Sequence, residues 1–183
     1  MRTLLSIILA ALVSISACAA DKIKMKSTSI LVAYYSATGT TETVAKAIAE
    51  ASNGTLYEIT PAEIYTDKDL DWHNKQSRSS IEMRDQSSRP ALGGKAINAS
   101  EYDVILLGYP IWWNLCPRVV NTWIESQELD GKKVIPFATS GGSGIGYSVN
   151  ALRRLYPQVK WVDGKLLNGG AKDAKTWVKS LFK

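Results

Sequence analysis

The sequence predicts an α/β fold: a three-layer, doubly wound sheet of five parallel strands in the order 2-1-3-4-5, with helices on both faces. Three observations carry that prediction. The runs ILVAYY (Ile30 to Tyr35) and DVILLGY (Asp103 to Tyr109) lack the polar alternation of a half-exposed strand, as strands covered on both faces do. Strand and helix patterns alternate along the chain. Residues 29–183 are enough for one domain of this kind, and the whole chain of 183 residues is 45% hydrophobic, enough for one full core.

Residues 1–19 are expected to be a signal peptide. Arg2 supplies a short positive start, and LLSIILAALVSI (Leu4 to Ile15) is an apolar run too short to span a bilayer comfortably. Its lack of a polar face argues against a packed helix. Ala17-Cys18-Ala19 has the small outer residues that signal peptidase prefers. Ile15-Ser16-Ala17-Cys18 resembles a bacterial lipobox, with Ile15 where leucine is usual, and would make Cys18 the lipidated first residue and a membrane anchor. Both readings export the chain, as a periplasmic protein or a membrane-anchored lipoprotein. Removing residues 1–19 lowers the formal net charge from +5 to +4. Cys18 and Cys116 are the two cysteines, so neither reading leaves an internal disulfide. Residues 20–28, with Lys22, Lys24 and Lys26, read as a basic linker to a domain of residues 29–183.

The elements of that domain follow in order. Ile30 to Tyr35 is the first buried strand. Thr41 to Ala51 carries a helical stripe at Val44, Ala45, Ile48 and Ala49. Thr55 to Ile59 is a short strand. Pro61 to Arg89 is polar, with a helix predicted at Arg78 to Arg84. Asp103 to Tyr109 is the third strand, and Pro117 suits the first position of a helix reaching about Gln127. Lys133 to Thr139 is a strand containing Pro136, which demands a bulge or a position whose N–H has no partner. Ser148 to Leu155 is a helix. Val159 to Leu167 is a strand with a turn at Asp163-Gly164, and Ala171 to Phe182 closes the domain as a helix.

In such sheets ligands sit beyond the carboxyl ends of the strands, where the strand order reverses. Three loops leave those ends. SATGTT (Ser36, Ala37, Thr38, Gly39, Thr40, Thr41) offers hydroxyls and backbone N–H groups at a helix N-terminus, and nothing in it is cationic. Neutral donors suit a phosphate monoester held without metal; a spare set of helix-capping hydroxyls is the plainer alternative. The phosphate-loop and dinucleotide glycine patterns are absent. Pro110, Ile111, Trp112, Trp113 and Asn114 form the second loop. Adjacent tryptophans in a loop cannot both enter one core, so one is exposed or covers a planar ligand. Thr139, Ser140, Gly141, Gly142, Ser143 and Gly144 form the third, where bare backbone can approach a ligand.

Together these loops resemble the flavodoxin family, in its branch with Tyr-Pro-Ile-Trp-Trp after the third strand. Ser36-Ala37-Thr38-Gly39-Thr40-Thr41 matches that family's phosphate loop. Gly108 to Trp113 and Thr139 to Gly144 resemble its two loops around the flavin ring. The resemblance implies FMN held non-covalently by these residues, with one- or two-electron redox chemistry as an electron carrier or oxidoreductase. Two features depart from the usual pattern. The chain is basic, with a pI near 9.1, where carriers serving cytoplasmic reductases are acidic. The export signal also removes it from cytoplasmic nicotinamide, which favours a quinone, a membrane redox protein or an exported donor. Trp72 is added as a flavin contact from the long segment after the second strand.

Other classes fit less well. An FMN-binding module without turnover would carry the same motifs. A serine hydrolase would need a nucleophile elbow, but Ala138 stands where glycine is required. Its histidine should follow the serine, and the one histidine, His73, precedes Ser140. One histidine and at most one free cysteine do not make a zinc site. Outside the linker the lysines and arginines are spread over separate elements, which argues against nucleic acid. Cys116 precedes a helix start, where a thiol can become reactive, but packing is its simpler role.

Overall fold

The computed structural model describes residues 28–182. The expected signal peptide (residues 1–19) and residues 20–27 of the linker lie outside the described residues. The strands are β1 (Ile30–Tyr34), β2 (Thr55–Glu58), β3 (Val104–Pro110), β4 (Lys133–Thr139), β5 (Lys160–Trp161) and β6 (Lys165–Leu166). The helices are α1 (Thr40–Ser52), α2 (Arg78–Arg84), α3 (Arg118–Glu125), α4 (Gly146–Leu155) and α5 (Gly170–Leu181). The strands are parallel in the order β2-β1-β3-β4-β5, and β6 also pairs with β4.

The two-residue period of the strands sorts the core into two layers. Ile30, Val32 and Tyr34 of β1, Leu106 of β3 and Phe137 of β4 pack with Val44 and Ile48 of α1 and Val178 of α5. Leu31, Ala33, Ile105, Leu107 and Ala138 face the other way, onto Val119, Val120 and Trp123 of α3 and Leu152 of α4. The central strands therefore need apolar residues at every position, which is why they read as unbroken runs.

The predicted last strand is two short ones, and Pro136 explains the break. Pro136 pairs in register with Leu107 of β3. On the other edge, Val162 donates to the Val134 carbonyl at 2.9 Å and Leu167 to the Ala138 carbonyl at 2.8 Å. Alternate residues 134, 136 and 138 thus turn their backbone groups toward this edge. The donor that proline lacks falls opposite the interruption between β5 and β6, so no ladder bond is lost. Gly164 lies in that gap, where a Cβ would come within 2.9 Å of the Pro136 carbonyl oxygen. Pro117 precedes α3 as its N-cap residue rather than opening its first turn.

Candidate functional site

β1, β3 and β4 end side by side, and their loops converge. Tyr35 N donates to the Gly108 carbonyl at 2.9 Å, and Ile111 N to the Thr139 carbonyl at 2.9 Å. The geometry of each loop therefore starts from a fixed strand end.

The first loop enters α1 through Gly39, which stands at the N-cap with φ 83° and provides no side-chain cap. An L-residue is disfavoured in that left-handed conformation. Thr43 donates from both its amide and its hydroxyl to the Gly39 carbonyl, each at 3.0 Å. The loop's hydroxyls are therefore not spent on capping the helix. Thr38 and Thr40 are exposed, with their hydroxyls 3.4 Å apart. Thr41 is buried and shares a 2.8 Å hydrogen bond with Thr139, tying the first loop to the third. The Ser36 hydroxyl is buried with no hydrogen-bond partner. The first-turn carboxylate of Glu42 is paired with Lys46, which offsets its repulsion of an anion at the helix N-terminus.

The second loop is a tight hairpin. Trp112 and Leu115 exchange two backbone hydrogen bonds of 2.9 Å. Trp113 (φ 47°) and Asn114 (φ 65°) between them are both left-handed, the pattern of a type I′ turn. Asparagine tolerates that region; tryptophan stands there against its preference. Behind the turn, the Trp112 ring meets Tyr35 edge-on at 5.8 Å and Tyr65 edge-on at 5.4 Å. The Tyr65 hydroxyl donates to Glu82, and Arg78 both pairs with Glu82 at 2.7 Å and lies 4.1 Å over the Tyr65 ring. Burial, and next the hydrogen bond to Glu82, keep the Tyr65 phenol protonated well above the usual tyrosine range. Burial does the same for Tyr35.

The third loop is held by its own serine and by a residue the sequence analysis did not single out. Ser140 Oγ accepts from the amides of Gly142 (3.2 Å) and Ser143 (2.8 Å). Asn168 clamps the Ser140 backbone from the other side: Ser140 N donates to Asn168 Oδ1 at 2.9 Å, and Asn168 Nδ2 donates to the Ser140 carbonyl at 2.8 Å. Ser140 thus shapes a turn. Asn168 lies on the connection from β6 to α5, in Asn168-Gly169-Gly170 at the start of that helix. That turn-like triplet after the last strand was the available signal.

The loops enclose a cavity of about 930 Å³. It is lined by Ser36, Ala37, Thr38, Gly39, Thr40, Thr41, Pro110, Ile111, Trp112, Thr139, Ser140 and Gly141, and also by Thr43, Val44, Leu167, Asn168 and Gly170. A recess of about 560 Å³ shares Ile111, Trp112, Ser140 and Gly141 with it and adds Leu70, Trp72, Ser79, Trp113, Gly142 and Ser143. Trp72 therefore stands on the recess, not on the larger cavity. Asn114 and Gly144 line neither, and Asn114 serves the hairpin turn instead. Cys116 is buried, and burial pushes its thiol up to about 12, the opposite of a reactive thiol.

A family model described as flavodoxin matches residues 29–181. Among solved structures, an inferred flavoprotein from Bacteroides uniformis is 55% identical, with a TM-score of 0.80 over 84% of this chain and 99% of that one. A second, from Bacteroides eggerthii, is 51% identical, with a TM-score of 0.79 over 85% and 99% of the two chains. A Lactobacillus acidophilus flavoprotein solved in complex with FMN shares the fold at 20% identity, with a TM-score of 0.66 over 82% and 98%. No match was found among curated proteins. With its hydroxyl loop, its tryptophan hairpin and a family match spanning nearly all the described residues, the chain belongs to the flavodoxin family.

Proposed function

We propose that the cavity holds FMN non-covalently and that the chain serves as an electron carrier or oxidoreductase outside the cytoplasm. The observation that carries the reading is the buried, unpartnered Ser36 hydroxyl beside a helix N-terminus that no side chain caps. A buried hydroxyl left unsatisfied costs about 1–3 kcal/mol, and a phosphate oxygen would satisfy it. The Lactobacillus neighbour, which holds FMN on the same fold, supports the same cofactor.

The residues fit such a ligand in kind. Ser36, Thr38 and Thr40, with the first amides of α1, would hold the phosphate by neutral donors. The Thr41–Thr139 hydrogen bond joins the two loops that flank the ligand, and the Asn168 clamp steadies the third loop. Trp112, fixed edge-on by two tyrosines, would cover the flavin ring and exclude water from one side. Bound FMN supplies one- and two-electron transfer.

The test is the visible spectrum of the purified protein, followed by titration of the flavin-free form with FMN. Yellow protein or saturable binding is expected; a colourless protein that takes up no FMN refutes the reading. Steady-state reduction of quinones separates a working oxidoreductase from a carrier or a module without turnover. Export through residues 1–19, to the periplasm or to a membrane anchored by a lipidated Cys18, completes the proposal. An exported location favours a quinone, a membrane redox protein or an exported donor as the redox partner. Mass spectrometry of the mature N-terminus should find a lipidated Cys18 or a start at Ala20, and an intact Met1 in native cells would overturn export.

A further inference from the structure

Beyond the ring recess lies another cavity, of about 500 Å³, lined by Trp72, His73, Lys75, Ser80, Arg84 and Trp113. Trp72 and Trp113 line the recess as well, so the two spaces share a wall. Both tryptophans are exposed, at 66% and 46%, although side chains of this size usually bury most of their area. His73 packs tilted against Trp72, with ring centroids 3.5 Å apart. The Arg84 guanidinium donates to the Lys75 carbonyl at 2.6 Å, which binds the end of α2 to the segment before it.

Some cations of this chain are neutralised by a carboxylate and others are not. Arg78, Arg89, Arg153, Lys46 and Lys175 are each paired with a carboxylate. Among the described residues neither Lys75 nor Arg84 has such a partner, and the cavity's lining contains no carboxylate. The neighbouring Asp71 is turned to its own backbone, accepting from His73 N at 3.1 Å. Two residues with unneutralised cations therefore line a space walled by two indoles. Trp113 is held there at φ 47°, and backbone strain of this kind gathers at ligand sites.

We propose that this cavity is a second ligand site, for a small planar aromatic molecule bearing one acidic group. The indoles would hold the ring, and Lys75 and Arg84 the acid. A volume near 500 Å³ suits a small molecule and is too confined for a folded partner. Because the cavity adjoins the recess beside Trp112, its ligand would be the molecule that meets the flavin. That last step rests on the FMN reading; binding itself does not.

The probes are 2-naphthoate and its neutral isostere 2-naphthamide, titrated by calorimetry into the flavin-free chain and into the chain saturated with FMN. Naphthoate should bind both forms, about tenfold or more tighter than the amide, the discrimination expected of a charge-assisted contact. Lys75→Gln with Arg84→Gln should erase the preference, and Trp72→Ala should weaken both probes. Lys172→Gln with Lys175→Gln, on the far face, should change neither and so excludes general attraction to a basic chain. Absence of binding, equal binding of acid and amide, or loss of naphthoate on saturation with FMN would each overturn the proposal. If the chain takes no FMN yet prefers naphthoate, this site stands and the flavin reading falls.

Discussion

The hydroxyl loop and the tryptophan hairpin leave neighbouring strand ends but are built on opposite principles. Apart from Thr41, the hydroxyl loop keeps its polar groups free for a ligand: Gly39 caps α1 without a side chain, and the Ser36 hydroxyl is buried without a partner. The hairpin has its backbone groups paired across Trp112 and Leu115 and carries its cost as conformation, with Trp113 and Asn114 left-handed. Its rigidity is borrowed from behind, from Tyr35, Tyr65, Glu82 and Arg78. An anion site needs unmet donors, whereas an aromatic wall needs a fixed plane. Substitutions of Ser36 or Thr38 should therefore affect binding and leave folding intact. Substitutions in the second should affect both.

The largest expected effect is that of Trp112→Ala. Removing this half-buried ring from its two tyrosines should cost about 2–4 kcal/mol of stability, less than a fully buried aromatic at the upper end. It should also weaken FMN and restore the flavin fluorescence that a ring covering the flavin would quench. Urea denaturation and fluorescence titration measure the two. Loss of stability without any change in the flavin would make Trp112 purely structural.

Thr38→Ala tests the other loop. FMN affinity should fall by about 1.5–3 kcal/mol, riboflavin affinity should hold, and stability should not move. Equal losses for both ligands would remove Thr38 from the phosphate site.

The hairpin's support should also be visible in pH dependence. Tyr65 is protonated in the fold at pH values where a free tyrosine, with a pKa near 10, ionises. A folded pKa above the unfolded one gives stability that is complete below about pH 10 and declines as pH rises toward the folded value. Stability should be flat near neutrality, begin to decline near pH 9 where the unfolded Cys116 thiol ionises, and steepen from about pH 10, each such group contributing up to about 1.4 kcal/mol per pH unit. Tyr65→Phe should make the decline shallower. An unchanged slope would assign the effect to the other buried tyrosines and to Cys116.

Ser36→Ala separates binding from folding by sign. Without ligand the variant should be as stable as the parent or up to about 1 kcal/mol more so, since it removes an unsatisfied buried hydroxyl. Its FMN affinity should drop. Trp113→Asn gives the smallest effect. Asparagine suits a type I′ turn, so stability should rise by less than about 1 kcal/mol, with FMN held nearly as before. A marked loss of stability would mean that the Trp113 ring contributes more than its conformation costs.

Much of the fold was legible because local chemistry and tertiary need coincide in it. ILVAYY and DVILLGY could only be strands covered on both faces, and the Val44/Ile48 stripe could only face a core. The helix at Arg78–Arg84 and the strand at Lys133–Thr139 match their predicted bounds. The three loops of the site were also legible, since hydroxyls before a helix, paired tryptophans after a strand and glycines after another are local signals. What sequence could not settle depends on neighbours distant along the chain. Pro136 is harmless because the opposite edge strand breaks at Gly164, some 28 positions later. Asn168 clamps Ser140 across the same distance, and a single Asn beside two glycines reads as an ordinary turn.

By itself, then, the sequence determined the layers and the three loops, because these follow from periodicity and from residue types at strand ends, while the strand order it only suggested is fixed by the pairing. Only the tertiary structure decided the division of labour within the loops. It turned Thr41 inward to Thr139, left Ser36 without a partner, set Trp112 against two tyrosines, and moved Trp72 and Trp113 to an outer cavity beside Lys75 and Arg84. The physical reason is that a side chain's role depends on which groups already satisfy it, and those groups come from elements that meet only when the chain has folded.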